Sequence, residues 1–126
     1  MYYNLEIISN GQVTDYAILD EDVAIGLDVA KYTWYSDKGY AKRLEVDTLN
    51  GTVKSIYLHH EVLHYLGIDK PSHTYAEEIN SKTRKWVTDH IDGKILNNTR
   101  DNLWYIPHWL NTFKMKTDYK GYTPNG

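Results

Sequence analysis

Two stretches of the chain gather residues that could do chemistry. The first is His60-Glu61-Val62-Leu63-His64, an H-E-x-x-H run. On a helix, two histidines one turn apart can chelate zinc while the intervening glutamate polarises a water. A motif with two free positions recurs easily in a chain holding six histidines, and on a short amphipathic helix the same residues form an ordinary polar face. The second stretch is Asp89-His90-Ile91-Asp92-Gly93, followed by Asn97-Asn98, Asn102-Leu103 and Asn111. This set fits phosphodiester hydrolysis, in which a base deprotonates water near phosphorus and a divalent cation stabilises charge on the phosphate and the 3′ leaving oxygen. His90 suits the base, because an unperturbed pKa of about 6.5 leaves imidazole mostly neutral at physiological pH. In an extended segment Asp89 and His90 point to opposite sides, so adjacent residues can serve a metal and a base. Asn97, Asn98 and Asn102 suit an irregular loop, where their amides bond backbone groups.

The 126 residues, 41% hydrophobic and 25% charged, are the size of one globular domain with a real core. The absence of cysteine excludes disulfides, thiolate zinc sites and thiol nucleophiles. No apolar run approaches the roughly 20 residues of a membrane span, and the N-terminus lacks the pattern of a secretory signal. An intracellular, cytoplasmic protein is the expectation. The net charge of -3 speaks against a nucleic-acid partner at first sight, yet residues 1–30 hold six acids and no Lys or Arg. The remainder sets 14 basic residues against 11 acidic ones, a surplus of three. Lys42-Arg43, Lys82 with Arg84-Lys85, and Lys114, Lys116 and Lys120 form small clusters, a modest basic face.

The elements that must position these residues read as follows. Asn10-Gly11 between Tyr3–Ser9 and Gln12–Leu19 predicts an opening hairpin. Asp20-Glu21-Asp22 predicts the start of a short helix running through Val23 to Ala30. Turn clusters at Ser36–Gly39 and Asn50-Gly51 separate three further strands, from Tyr32, from Gly39 and over Val53–Leu58. His59 to Leu66 reads as a two-turn helix closed by Gly67. Residues 68–85 form a polar surface excursion. Strands at Trp86–Asp89 and Leu103–Ile106 flank a long loop, and Pro107 is expected at the first position of a final helix. The fold class is α+β: an N-terminal antiparallel β-sheet with short helices, then a ββα-metal unit. Residues 1–83 form the β-rich part, 84–117 the ββα unit, and 118–126 a tail; the first two are expected to share one core.

Val87 to Gly93, Leu96-Asn97-Asn98, Asp101 to Trp104 and Asn111 together resemble the motif of HNH, or His-Me finger, endonucleases, especially the phage and intron homing type. The resemblance extends upstream to Trp34, Gly39-Tyr40-Ala41 and Tyr57-Leu58-His59 before a short helix. It implies that His90 is the general base, Asp89 and Asn111 bind the metal, and Asn102 braces the loop. Asn111 in place of His favours an oxygen-rich site for one magnesium or manganese ion. His60 stands where that family carries Arg, which makes the H-E-x-x-H run a by-product of the helix. The metzincin proteases would need a third ligand where this chain has Lys70.

The expectation is therefore a metal-dependent DNA endonuclease acting on double-stranded DNA, encoded by a phage or intron. A monomer that nicks is favoured over a restriction-type dimer, a catalytically silent DNA-binding module and a zinc protease. Lys42, Arg43, Lys82, Arg84 and Lys85 are candidate contacts to the DNA backbone. Trp104 and Trp109 are expected to pack in the core or against a helix, His59 to be a hydrogen-bonded structural residue, and His73 and His108 to lie on the surface. Tyr119-Lys120-Gly121-Tyr122 resembles the start of the DNA-binding repeats that follow the nuclease in some relatives.

Overall fold

The computed structural model describes residues 1–70, 86–107 and 110. The chain opens with β1 (Tyr2–Ser9) and β2 (Gln12–Asp20), an antiparallel hairpin turned by Asn10 and Gly11. Both turn residues have positive φ, 55° and 77°, as a two-residue hairpin loop demands. Alternation along the two strands sends Leu5, Ile7, Ala17 and Leu19 to one face, where all are buried.

Helix α1 (Glu21–Leu27) follows at once and buries Val23 and Ala24 against that face. It is shorter than expected from sequence. Asp28 takes a left-handed conformation, φ 54°, and ends it, so Val29 and Ala30 belong to a separate 3₁₀ turn (Val29–Lys31). The chain thereby crosses to the side of β1 away from β2. As a result β3 (Trp34–Asp37) lies parallel to β1, pairing Ile7 with Trp34 and Ile8 with Tyr35. Among the described strands of this sheet that is the one departure from antiparallel pairing. Strands β4 (Tyr40–Asp47) and β5 (Thr52–Tyr57) complete the meander, giving the order β2-β1-β3-β4-β5.

Helix α2 (Leu58–Tyr65) seats Leu58, Val62 and Leu63 on the same face. Its end is a Schellman closure: the Gly67 N–H donates to His64 O and the Ile68 N–H to Leu63 O, with Gly67 at φ 76°. The second sheet is the antiparallel pair β6 (Trp86–His90) and β7 (Leu103–Pro107). Pro107 is the last residue of β7, opposite Trp86, and Leu110 beyond it is helical. Leu103 joins the core formed by the N-terminal sheet and helices. Among the described residues no helix is long and apolar enough to cross a membrane.

Candidate active site

The β6–β7 hairpin presents the candidate residues in register, with Asp89 opposite Trp104 and His90 opposite Leu103. Neighbours on a strand face opposite ways. Asp89, buried, accepts a hydrogen bond from Trp104 Nε1 at Oδ2, 2.7 Å. His90, only 5% exposed, sits among rings of the N-terminal region: His59 at 5.5 Å and Tyr40 at 6.1 Å between centroids.

The loop between the strands is folded around its own amides. Asp92 makes a turn by accepting the Lys94 N–H, 2.8 Å, and Gly93, φ 78°, donates its N–H to His90 O, 2.8 Å. Asn102 cross-braces the loop: its Oδ1 accepts the Asp92 N–H at 2.9 Å, while Nδ2 donates to Asp92 Oδ1 and Asn97 O at 2.9 and 2.8 Å. Three bonds thus converge on the loop from the one buried side chain of Asn102. Asn97 Nδ2 reaches the other Asp92 oxygen, 2.9 Å. Burial acts to raise the Asp92 pKa, but the bonds from Asn97, Lys94 N–H and Asn102 outweigh it and hold the carboxyl below its ordinary value.

The loop is also strapped to the N-terminal sheet. The Ile18 N–H donates to Leu96 O and the Asn98 N–H to Ile18 O, 2.8 and 2.7 Å, which covers the edge of β2 at that point. Arg100 ties the far end to the start of α1: its backbone N–H donates to Asp20 Oδ1, 2.7 Å, and its guanidinium pairs with Asp20 and Asp22. On the opposite flank Gly39, φ 90°, lets the β3–β4 turn approach so closely that a Cβ would lie 2.7 Å from Ile95 Cδ1.

The inward-facing amide is Asn98, 1% exposed, whose Oδ1 lies 2.9 Å from His90 Nε2. A carbonyl oxygen can only accept, so Nε2 carries the ring proton and the lone pair resides on Nδ1. Burial lowers the His90 pKa, against the opposing pull of the Asn98 bond and the charges of Asp89 and Asp92. The ring is therefore neutral at physiological pH, the state a general base needs. Sequence reasoning placed Asn98 in the loop without assigning it this partner. The asparagine pair was visible, but which member turns inward depends on the loop path.

The remaining expectations divide. Asn111, Lys82, Arg84, Lys85, His73, His108 and Trp109 lie outside the described residues. Arg43 is corrected: its guanidinium is buried, pairs with Glu61 (3.2 Å) and Glu45 (3.5 Å), and stacks over the Tyr32 ring at 4.0 Å. Such a group is committed to the interior and is not free for a phosphate. Lys42 is half-buried and pairs with Asp37 at 3.3 Å. Trp104 is 44% exposed and belongs to Asp89, not to the core. His59 is buried, with ring contacts to Tyr40, Tyr57, His60 and His90 around it. In the H-E-x-x-H run His60 and His64 are exposed and Glu61 is held by Arg43.

Among the described residues no group of three His, Asp or Glu side chains is placed to enclose a metal ion. Asp89 nonetheless fits half of an open site for a hard cation. It is a buried carboxylate whose orientation an indole N–H fixes, and magnesium keeps several waters beside one or two such ligands. Compared with protein-family models, curated proteins and solved structures, the chain matches none.

Proposed function

We propose that this chain is a metal-dependent DNA endonuclease of the HNH, or His-Me finger, type that nicks double-stranded DNA as a monomer. The observation that carries the reading is His90 at the end of β6: a buried, neutral imidazole with Nε2–H engaged by Asn98, on a loop that Asn102 braces, adjacent in sequence to the buried carboxylate of Asp89. In this mechanism His90 Nδ1 takes the proton from the attacking water, and the Asn98 carbonyl stabilises the imidazolium that forms. Asn102 keeps the loop from relaxing, which holds the base in place for in-line attack. Asp89, with Asn111, would hold one magnesium or manganese ion, which supplies charge neutralisation at the phosphate and the departing 3′ oxygen.

One base and one cation break one strand at a time, so a monomer leaves a nick. The strap of residues 96–98 across β2 also blunts one edge through which two copies could pair. The test is supercoiled plasmid incubated with the purified chain in magnesium or in chelator, beside sedimentation at the same concentration. Magnesium-dependent open-circular product from a sedimenting monomer supports the reading. Linear product without an open-circular intermediate, from a dimer, moves it to a restriction-type enzyme; intact plasmid overturns it.

A further inference from the structure

Beside His90, the β3–β4 turn, the start of α2 and the β6–β7 hairpin enclose a cavity of about 570 Å³ that the mechanism above does not use. Pockets for small ligands span roughly 300–1,000 Å³. Six rings line it: Tyr40, Tyr57, His59 and His60 from the N-terminal region, Trp86 and Tyr105 from the hairpin. Tyr40 and His59 are the same rings that flank His90, so the cavity begins one side chain from the base.

Among the described residues the charge of its wall is positive. Asp37, the one carboxylate lining it, accepts the Tyr57 hydroxyl at 2.6 Å and the Lys42 ammonium at 3.3 Å, and these bonds hold it ionised and compensated. Lys38 and Lys70 also line the cavity, are exposed, and form no ion pair among the described residues. Deeper in, Thr88 Oγ1 is buried and makes no hydrogen bond of ordinary geometry among the described residues, although its cross-strand partner Tyr105 is close enough to feel it.

We propose that this cavity receives a single unpaired nucleotide of the bound nucleic-acid strand, its base against the rings and its phosphate toward Lys38 and Lys70. A purely apolar ligand would leave the two lysines unmatched, and a simple anion would leave the rings unmatched. A nucleotide satisfies both, since every base has a stacking face and every phosphate a charge. The cavity is too small for a base pair with its backbone, so the nucleotide enters unstacked from its partner. The proposal rests on the reading of the substrate as nucleic acid, and it makes an unpaired or mismatched position near the cut favourable.

The test measures binding by the full chain, at low salt and in chelator, of a fluorescent thymidine pentanucleotide, a strand of the same length and charge with every position abasic, and thymidine 5′-monophosphate. Removing the base should weaken binding about tenfold, in line with stacking contributions. The double variant His60→Ala/Lys70→Ala, both at exposed positions, should bind the two strands equally. Equal binding of both strands by the wild type, no measurable binding of either, or a double variant that still discriminates as the wild type does would overturn the proposal. Monophosphate binding as tight as the pentanucleotide would also overturn it, in favour of a free-nucleotide site. Plasmid nicking separates the two claims: base-dependent binding with intact plasmid sinks the endonuclease and keeps the cavity, and nicking without base dependence does the reverse.

Discussion

Replacing Asn102 by alanine removes three hydrogen bonds at a stroke: one from the Asp92 N–H, one to the Asn97 carbonyl and one to the Asp92 carboxylate. A neutral bond contributes about 1 kcal/mol net and one to a charged partner about 2, so the sum is about 4 kcal/mol. Asp92 is exposed and water can recover part of this, which brings the expected loss to about 3 kcal/mol. Urea unfolding followed by tryptophan fluorescence should show the midpoint lowered by about 2 M at an unchanged slope. Asn102→Asp sharpens the test. It keeps the oxygen that accepts the Asp92 N–H, but turns the donor into an anionic oxygen facing Asp92 Oδ1 and Asn97 O at 2.9 and 2.8 Å. Beside a like charge the new carboxyl has a raised folded pKa, so its penalty is full at high pH and declines as pH falls through that value. Asn102→Asp should therefore be less stable than Asn102→Ala at pH 8, and the gap should narrow toward pH 5. A loss below about 1 kcal/mol in Asn102→Ala, or a gap independent of pH, would refute the cross-brace as the source of the loop's rigidity.

Three further outcomes follow from the same geometry. Burial, with the charges of His60 and His90, pulls the His59 pKa down to about 3, so the unfolded chain takes up a proton near pH 6.5 that the folded chain refuses. Stability is then full above pH 6.5 and falls as pH drops below it, by about 2 kcal/mol between pH 7 and 5 for this residue; His59→Gln should remove that share, and urea midpoints that do not change with pH would contradict it. Arg43→Ala should destabilise by about 2–3 kcal/mol through the stranded Glu61, with the salt dependence of DNA affinity unaltered; a flatter salt slope at unchanged stability would return Arg43 to the phosphate contacts. His64→Ala should leave any magnesium-dependent cleavage as it is, and stoichiometric zinc lost from that variant would revive the H-E-x-x-H run as a metal site.

What was legible in the sequence, and what was not, divides along a physical line. Turn chemistry is local, so Asn10-Gly11, Asn50-Gly51 and Gly67 marked their turns and the helix end where the chain makes them. The pairing of β1 with β3 depends on where α1 stops, which hinges on the left-handed Asp28, and its parallel sense was not visible. Asp89 and His90 on successive positions of one strand could be anticipated from their adjacency, and Asn102 as a loop brace from the resemblance to the HNH motif. The partners of those side chains could not: Trp104 holds Asp89 and Asn98 holds His90 across 15 and 8 residues of chain. Arg43 shows the opposite failure. A cation beside Lys42 reads as a surface cluster, whereas strand alternation turns it inward onto Tyr32 and Glu61.

The central claim is that His90 Nδ1 is the general base of a phosphodiester hydrolase. Nicking of supercoiled plasmid by His90→Ala, measured in magnesium beside the wild type, tests it most directly, with circular dichroism and DNA binding as controls for fold and affinity. The account predicts a fall in rate of about a hundredfold or more with both controls preserved. Wild-type-like nicking by His90→Ala would contradict it.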